Sequence, residues 1–143
     1  DTGLLVGQRK GLGEVNVMEV RNYLNVPSDL FVVREQVYQQ KKPLLKRFLK
    51  AYRESAAWMI ANPDEAAGLA TKYAIDGTDR FTNLDVIRLR NAASVSAATA
   101  KNGLGAFDME ALQKAANTYR QLGMIEHDIQ IRDVVSSDLL PAR

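Results

Sequence analysis

The chain has no cysteine and a single histidine, His127, and these two scarcities remove much of the catalytic repertoire. Without a thiol there is no cysteine nucleophile, no thiolate metal site and no disulfide staple. One imidazole, in the polar stretch after Gly123, cannot build a two-histidine metal site and reads as an exposed loop residue, which does not suit a serine triad. Long hydrophobic runs are also missing, because Arg, Lys or Asp interrupts every apolar stretch well short of the ~20 residues that cross a bilayer. Charge of one sign is lacking too. Nineteen Lys and Arg stand against seventeen Asp and Glu, a net +2, so no field of one sign argues for nucleic acid as a partner. No internal repeat or low-complexity tract is present. There is neither an initiating methionine nor a charged-then-apolar leader before Asp1-Thr2-Gly3, and sequence upstream is expected to have been removed.

What is present is ordinary globular material: 143 residues, 46% hydrophobic and 25% charged, enough to bury roughly 70% of the unfolded surface. Thr2 to Gly13 reads as a short helix stopped by Gly11-Leu12-Gly13, which lacks the third glycine and the preceding strand of a dinucleotide fingerprint. Val15, Val17 and Val20 suit a short strand or extended link, and Asn25 to Asp29 a turn. Leu30-Phe31-Val32-Val33-Arg34 is continuous, apolar and of strand length, and is expected to be a buried strand. Helix follows from Glu35, with Pro43 in the first turn of the longest one. There Leu45, Phe48, Leu49, Tyr52, Ala56 and Met59 form an apolar stripe, and Phe48, Tyr52 and Trp58 are expected in the core. Lys42, Lys46, Lys50 and Arg53 line the other side, a face that reads as solvated.

Asn62-Pro63-Asp64-Glu65 predicts a capped helix start with Glu65 completing a capping box and the helix running to about Tyr73. Thr82 with Asp85 predicts the cap of a third helix carrying Val86, Ile87 and Leu89. Asp108 predicts the cap of a fourth, through Leu112, Ala115, Ala116, Tyr119 and Leu122 to Gly123. The tail to Leu140 suits a short docking helix.

The order of these pieces carries a resemblance. Arg9-Lys10-Gly11-Leu12-Gly13, then Tyr23 to Asp29, then the Leu30-to-Arg34 strand, then Pro43 and Phe48-Leu49-Lys50-Ala51-Tyr52, and Ala61-Asn62-Pro63-Asp64-Glu65-Ala66-Ala67 resemble the solute-binding proteins of ABC importers for nitrate, sulfonates, taurine and thiamine pyrimidines. Leu122-Gly123-Met124-Ile125, Asp133-Val134-Val135 and Leu139-Leu140-Pro141 resemble that family's closing helix and tail. The resemblance implies a helix-rich α/β fold: the C-terminal portion of a two-lobed periplasmic-binding-protein-like structure with about four main helices and one or two short strands. Residues 1–29 would be the end of the second lobe and the return hinge crossing, and residues 30–143 the C-terminal part of the first lobe.

It further implies a small anionic or heteroaromatic solute held between lobes, permease subunits in the membrane as partners, an extracytoplasmic location, and no cofactor, metal or catalytic group. The chain alone is expected to self-associate or to pair with an N-terminal part. Tyr23 and Ser28, then Asn25 and Asp29, are the expected ligand contacts, since they sit at the hinge and offer a phenol, an amide, a hydroxyl and turn N–H groups. Thr2 is placed near the cleft mouth. Two other readings stay open: a helical protein-interaction module using Phe48 and Tyr52, and an enzyme of the thiamine-pyrimidine synthase kind, which shares the fold.

Overall fold

The computed structural model describes residues 2–27 and 29–140, with the side chain of Thr2 outside the description. Among the described residues the chain forms eight α-helices and one 3-10 turn and no strand. It divides into two compact units, one made of the residues up to Val17 with Tyr52–Ala97, the other of Met18–Ala51 with the residues from Ala98 onward.

In the first unit α1 (Thr2–Arg9) and α4 (Pro63–Tyr73) both pack on α5 (Arg80–Ser94), joined by the second half of α3 (Lys42–Ala61). The core is Ala66, Ala67 and Ile87, with Met59, Ala70 and Leu84 half-buried around it. Two adjacent alanines let α4 approach α5 closely, and Ala67 is 0% exposed. The helix starts differ from their predicted caps. Asn62 occupies the N-cap of α4 but makes no cap hydrogen bond; its Nδ2 donates back to Trp58 O at 2.9 Å, so the capping box with Glu65 does not form. Asp79, not Thr82, caps α5, accepting from Thr82 N at 3.0 Å and Phe81 N at 3.3 Å. Thr82 and Asp85 instead join Asp79 as partners of the Arg9 guanidinium, which ties α1 to the start of α5. Backbone and hydroxyl donors from Thr82, with Arg9 beside them, hold the Asp79 carboxyl below the usual carboxylate range.

The second unit holds α2 (Glu35–Gln40), the first half of α3, α6 (Ala97–Asn102), α7 (Met109–Gln121) and α8 (Ile131–Val134). Leu112, Ala115 and Ala116 of α7 and Leu139 of the tail are buried. Asp108 caps α7 as expected, its Oδ1 accepting from Ala111 N at 2.9 Å. Gly123 ends the helix region at φ 71, a left-handed conformation that costs a residue with a Cβ. Gln113 accepts from Ile131 N at 3.0 Å and donates to Ile129 O at 2.9 Å, which docks α8 on α7. The tail is stapled a second time: Tyr38 Oη lies 2.9 Å from Asp138 Oδ1, and Lys42 Nζ sits 3.1 Å from Asp138 Oδ2 and 4.2 Å above the Tyr38 ring.

The expected buried strand is not there. Leu30–Arg34 runs on without regular structure, and Val32 is 85% exposed. A strand exists only as part of a ladder, and among the described residues no ladder is formed at this segment. The stretch from Val15 to Val20, expected as a short strand or an extended link, forms no strand and leads into the 3-10 turn Val20–Asn22. The α/β expectation is thus corrected, within the described residues, to an all-helical architecture. Phe48, Tyr52 and Trp58 are likewise not core residues but about half exposed. Phe48 meets Phe31 edge to face at 5.3 Å. The physical reason is shared: an apolar stripe is buried only where another layer covers it.

Candidate functional site

The second unit contains an open cleft of about 660 Å³. One wall is the segment from Arg21 to Asn25, which leaves the 3-10 turn; the other is the first three turns of α7. The α7 wall follows from helical period. Glu110, Gln113, Lys114 and Asn117 are separated by three- and four-residue steps, opposite the face that carries Leu112, Ala115 and Ala116 into the core. The other wall is fixed by backbone, with Tyr23 N and Leu24 N both donating to Val20 O at 2.9 Å. That turn holds the Tyr23 ring outward at 73% exposure.

Several lining groups are already committed. The Arg21 guanidinium grips Glu19, with Nε 2.5 Å from Oε2 and Nη2 2.8 Å from Oε1. This pairing lowers the Glu19 carboxyl and raises the Arg21 guanidinium. Asp108 is spent on its cap, and Gln113 is bonded to Ile129, Ile131 and, at 2.9 Å, Asn117 Oδ1. The side chains of Tyr23, Asn25, Glu110 and Lys114 remain uncommitted among the described residues. Together they offer an aromatic face, a hydroxyl, a two-sided amide and one charge of each sign.

Of the residues expected from sequence to contact ligand, Tyr23 and Asn25 line this cleft. Asp29 is exposed further along the chain and does not. Ser28 lies outside the described residues. Thr2 opens α1, in the other unit, and its side chain also lies outside the description. Glu110, Lys114 and Asn117 were not anticipated. Their signal is the polar face at i, i+4 and i+7 that follows the Asp108 cap, which alone is indistinguishable from a solvated helix face. Among the described residues no cluster of three or more His, Cys, Asp or Glu side chains can hold a metal ion, and no helix is long and apolar enough to cross a membrane.

Residues 3–66 match the family described as NMT1/THI5 like. The riboflavin-binding protein RibY of Chloroflexus aurantiacus (strain ATCC 29366 / DSM 635 / J-10-fl) is 24% identical over 137 residues, covering 94% of this chain and 39% of that protein. The chain therefore spans about two fifths of the length of the curated relative it matches. No solved structure matches it significantly. Most of the resemblance carried by Arg9 to Ala67 thus falls within the segment that matches the NMT1/THI5-like family, and the chain is distantly similar to RibY over most of its own length.

Proposed function

We propose that this chain, an NMT1/THI5-like solute-binding sequence over residues 3–66, is part of the receptor of an ABC import system working outside the cytoplasm. It captures a small heteroaromatic or anionic solute between two lobes and delivers it to permease subunits in the membrane. Residues 1–29 supply the end of the second lobe and the hinge crossing, and residues 30–143 the C-terminal part of the first. The solute-contacting residues of this reading are Tyr23 and Ser28, then Asn25 and Asp29, with Thr2 beside them. The reading assigns no catalytic group. Solute bridging both lobes favours the closed arrangement by its differential affinity, and this difference alone drives closure.

The observation that supports this most is local. Tyr23 and Asn25, from the family-matched segment, face the polar side of α7 across an open cleft with uncommitted aromatic, amide and charged groups. That is the composition of a small-molecule site: a few polar groups that fix orientation beside an apolar surface. The relative named as a riboflavin-binding protein adds a heteroaromatic solute to the candidates.

The test is a thermal-shift and calorimetric screen of the full gene product against riboflavin, pyrimidines, nitrate, taurine and alkanesulfonates. A ligand present at 100 times its Kd stabilises the native state by about 2.7 kcal/mol, a shift that the screen resolves. Stabilisation by none of these compounds would remove the receptor reading.

A second reading, a helical interaction module, is favoured by the half-exposed Phe48, Tyr52 and Trp58 on α3. It requires those side chains to be open in the full gene product. Accessibility to acrylamide quenching at Trp58, the sole tryptophan, separates the two, since the receptor reading expects α3 to be covered there.

A further inference from the structure

Six cations, Arg34, Lys41, Lys42, Lys46, Arg47 and Lys50, crowd into residues 29–51, where only Asp29 and Glu35 oppose them. That stretch is net +4 in a chain whose total is +2, so everything outside it is net acidic. All of it lies in the second unit. Part of the charge is answered nearby: Asp138 takes Lys42 at 3.1 Å. Glu35 takes none of it through hydrogen bonding, since its Oε1 accepts from Gln39 Nε2 at 2.6 Å. Among the described residues Arg34, Lys41, Lys46 and Arg47 make no ion pair, and all four are exposed.

Apolar side chains stand beside these cations. Leu44, Arg47, Phe48 and Ala51 follow the i, i+3, i+4 and i+7 steps of one helix face, and all four are exposed. Leu45 and Leu49 turn away from that face and are half-buried. The edge-to-face contact of Phe31 with Phe48 brings the Leu30–Val33 run to the same side, with Val32 85% exposed next to it. A solvated helix face accounts for the cations but leaves Phe31, Leu44 and Phe48 in water. A nucleic acid would use the cations and offer nothing to Val32 and Leu44. An anionic bilayer takes both kinds of group, phosphates meeting the cations and the headgroup–acyl boundary meeting the apolar side chains.

We infer that this face of the second unit docks on an anionic lipid bilayer. Arg34, Lys41, Lys46 and Arg47 meet lipid phosphates, while Phe31, Val32, Leu44 and Phe48 enter the boundary beneath them. The inference goes beyond solute capture and does not depend on it.

The test is cosedimentation of the full gene product, without solute, with vesicles of phosphatidylcholine alone or of phosphatidylcholine mixed with phosphatidylglycerol. Each cation near an anionic surface strengthens binding about fivefold, so the anionic vesicles should be preferred by at least about 100-fold. The preference should shrink as salt rises. Lys46→Glu with Arg47→Glu should weaken binding to the anionic vesicles at least about twentyfold, and Leu44→Ser about fivefold. Lys10→Glu with Lys72→Glu makes the same change in net charge at exposed positions of the first unit, and should weaken it less than about threefold. Equal binding to both kinds of vesicle, or binding to neither, would overturn the inference. So would equal effects of the two double variants, or double-stranded DNA bound as tightly as the anionic vesicles. Because no solute enters the assay, each of these results leaves the receptor reading where it stood.

Discussion

Ile87→Ala probes the packing on which the first unit depends. Ile87 is 7% exposed and, among the described residues, is the one large side chain in a buried cluster otherwise made of Ala66 and Ala67. The substitution removes three carbons, about 2.4 kcal/mol of transfer free energy at about 0.8 kcal/mol each. A cavity term adds to this, because the facing alanines have no side-chain torsions with which to fill the space. Met59 and Leu84, only half-buried, can lean in and limit it. The expected loss is about 3 kcal/mol, inside the 2–5 kcal/mol range for Ile-to-Ala changes in cores.

Trp58 reports the loss, since it is the sole indole and lines an apolar groove with Met59, Ala66 and Leu69 in the same unit. With a urea dependence of about 2 kcal/mol per molar, the midpoint followed by its emission should fall by about 1.5 M. Ile75→Ala is the control: Ile75 is 99% exposed, and its loss should stay within about 0.5 kcal/mol. Equal effects from the two substitutions, or a shift at Ile87 below about 1 kcal/mol, would refute the packing of α4 on α5 described here.

Two glycines should respond with opposite signs in the same urea assay. Gly68 lies inside α4 with nothing within 4 Å of an added Cβ, so Gly68→Ala should stabilise by about 0.5–1 kcal/mol; Gly123 has equal space but φ 71, so Gly123→Ala should destabilise by about 1 kcal/mol. The Asp138 carboxyl, pulled from 3.8 to about 2 first by the Ser136 hydroxyl and then by Lys42 and Tyr38, should titrate near that lower value in a carboxyl-carbon NMR experiment. The unfolded chain takes up this proton near 3.8 and the folded one only near 2. The staple's contribution is therefore complete above the unfolded value and disappears as pH falls through the folded one. Ser136→Ala should raise the midpoint, and a wild-type midpoint at or above 3.8 would contradict the staple.

Features set by nearest neighbours along the chain were legible. Period, with Pro43 and Pro63 near their helix starts, gave α3 and α4, and Asp108 with Gly123 bracketed α7. Where several polar residues competed for one cap, local pattern did not decide. Asp79 and Thr82 both stand at the start of α5, and Arg9, seventy residues away in sequence, draws Thr82 and Asp85 into its own network. Asn62 had a backbone carbonyl behind it, Trp58 O, as an alternative to the N–H groups ahead. The cleft divides the same way. Tyr23 and Asn25 follow from the hinge position that the resemblance implies, whereas Glu110, Lys114 and Asn117 acquire meaning only once α7 faces the Arg21-to-Asn25 segment.

The missing strand has a different cause, because no residue in it was misread. Leu30 to Val33 are β-branched or bulky, and they stand exposed in a stretch without regular structure. Side-chain preference makes such a stretch strand-competent, but the hydrogen bonds that define a strand belong to a pair of segments, and among the described residues no such pair is formed. A contiguous exposed apolar run of this kind marks a surface that gains stability by being covered. The homologue is longer, with this chain spanning 39% of it. Pairing with a second segment is one way in which such a stretch buries Phe31 and Val33 together with its own backbone.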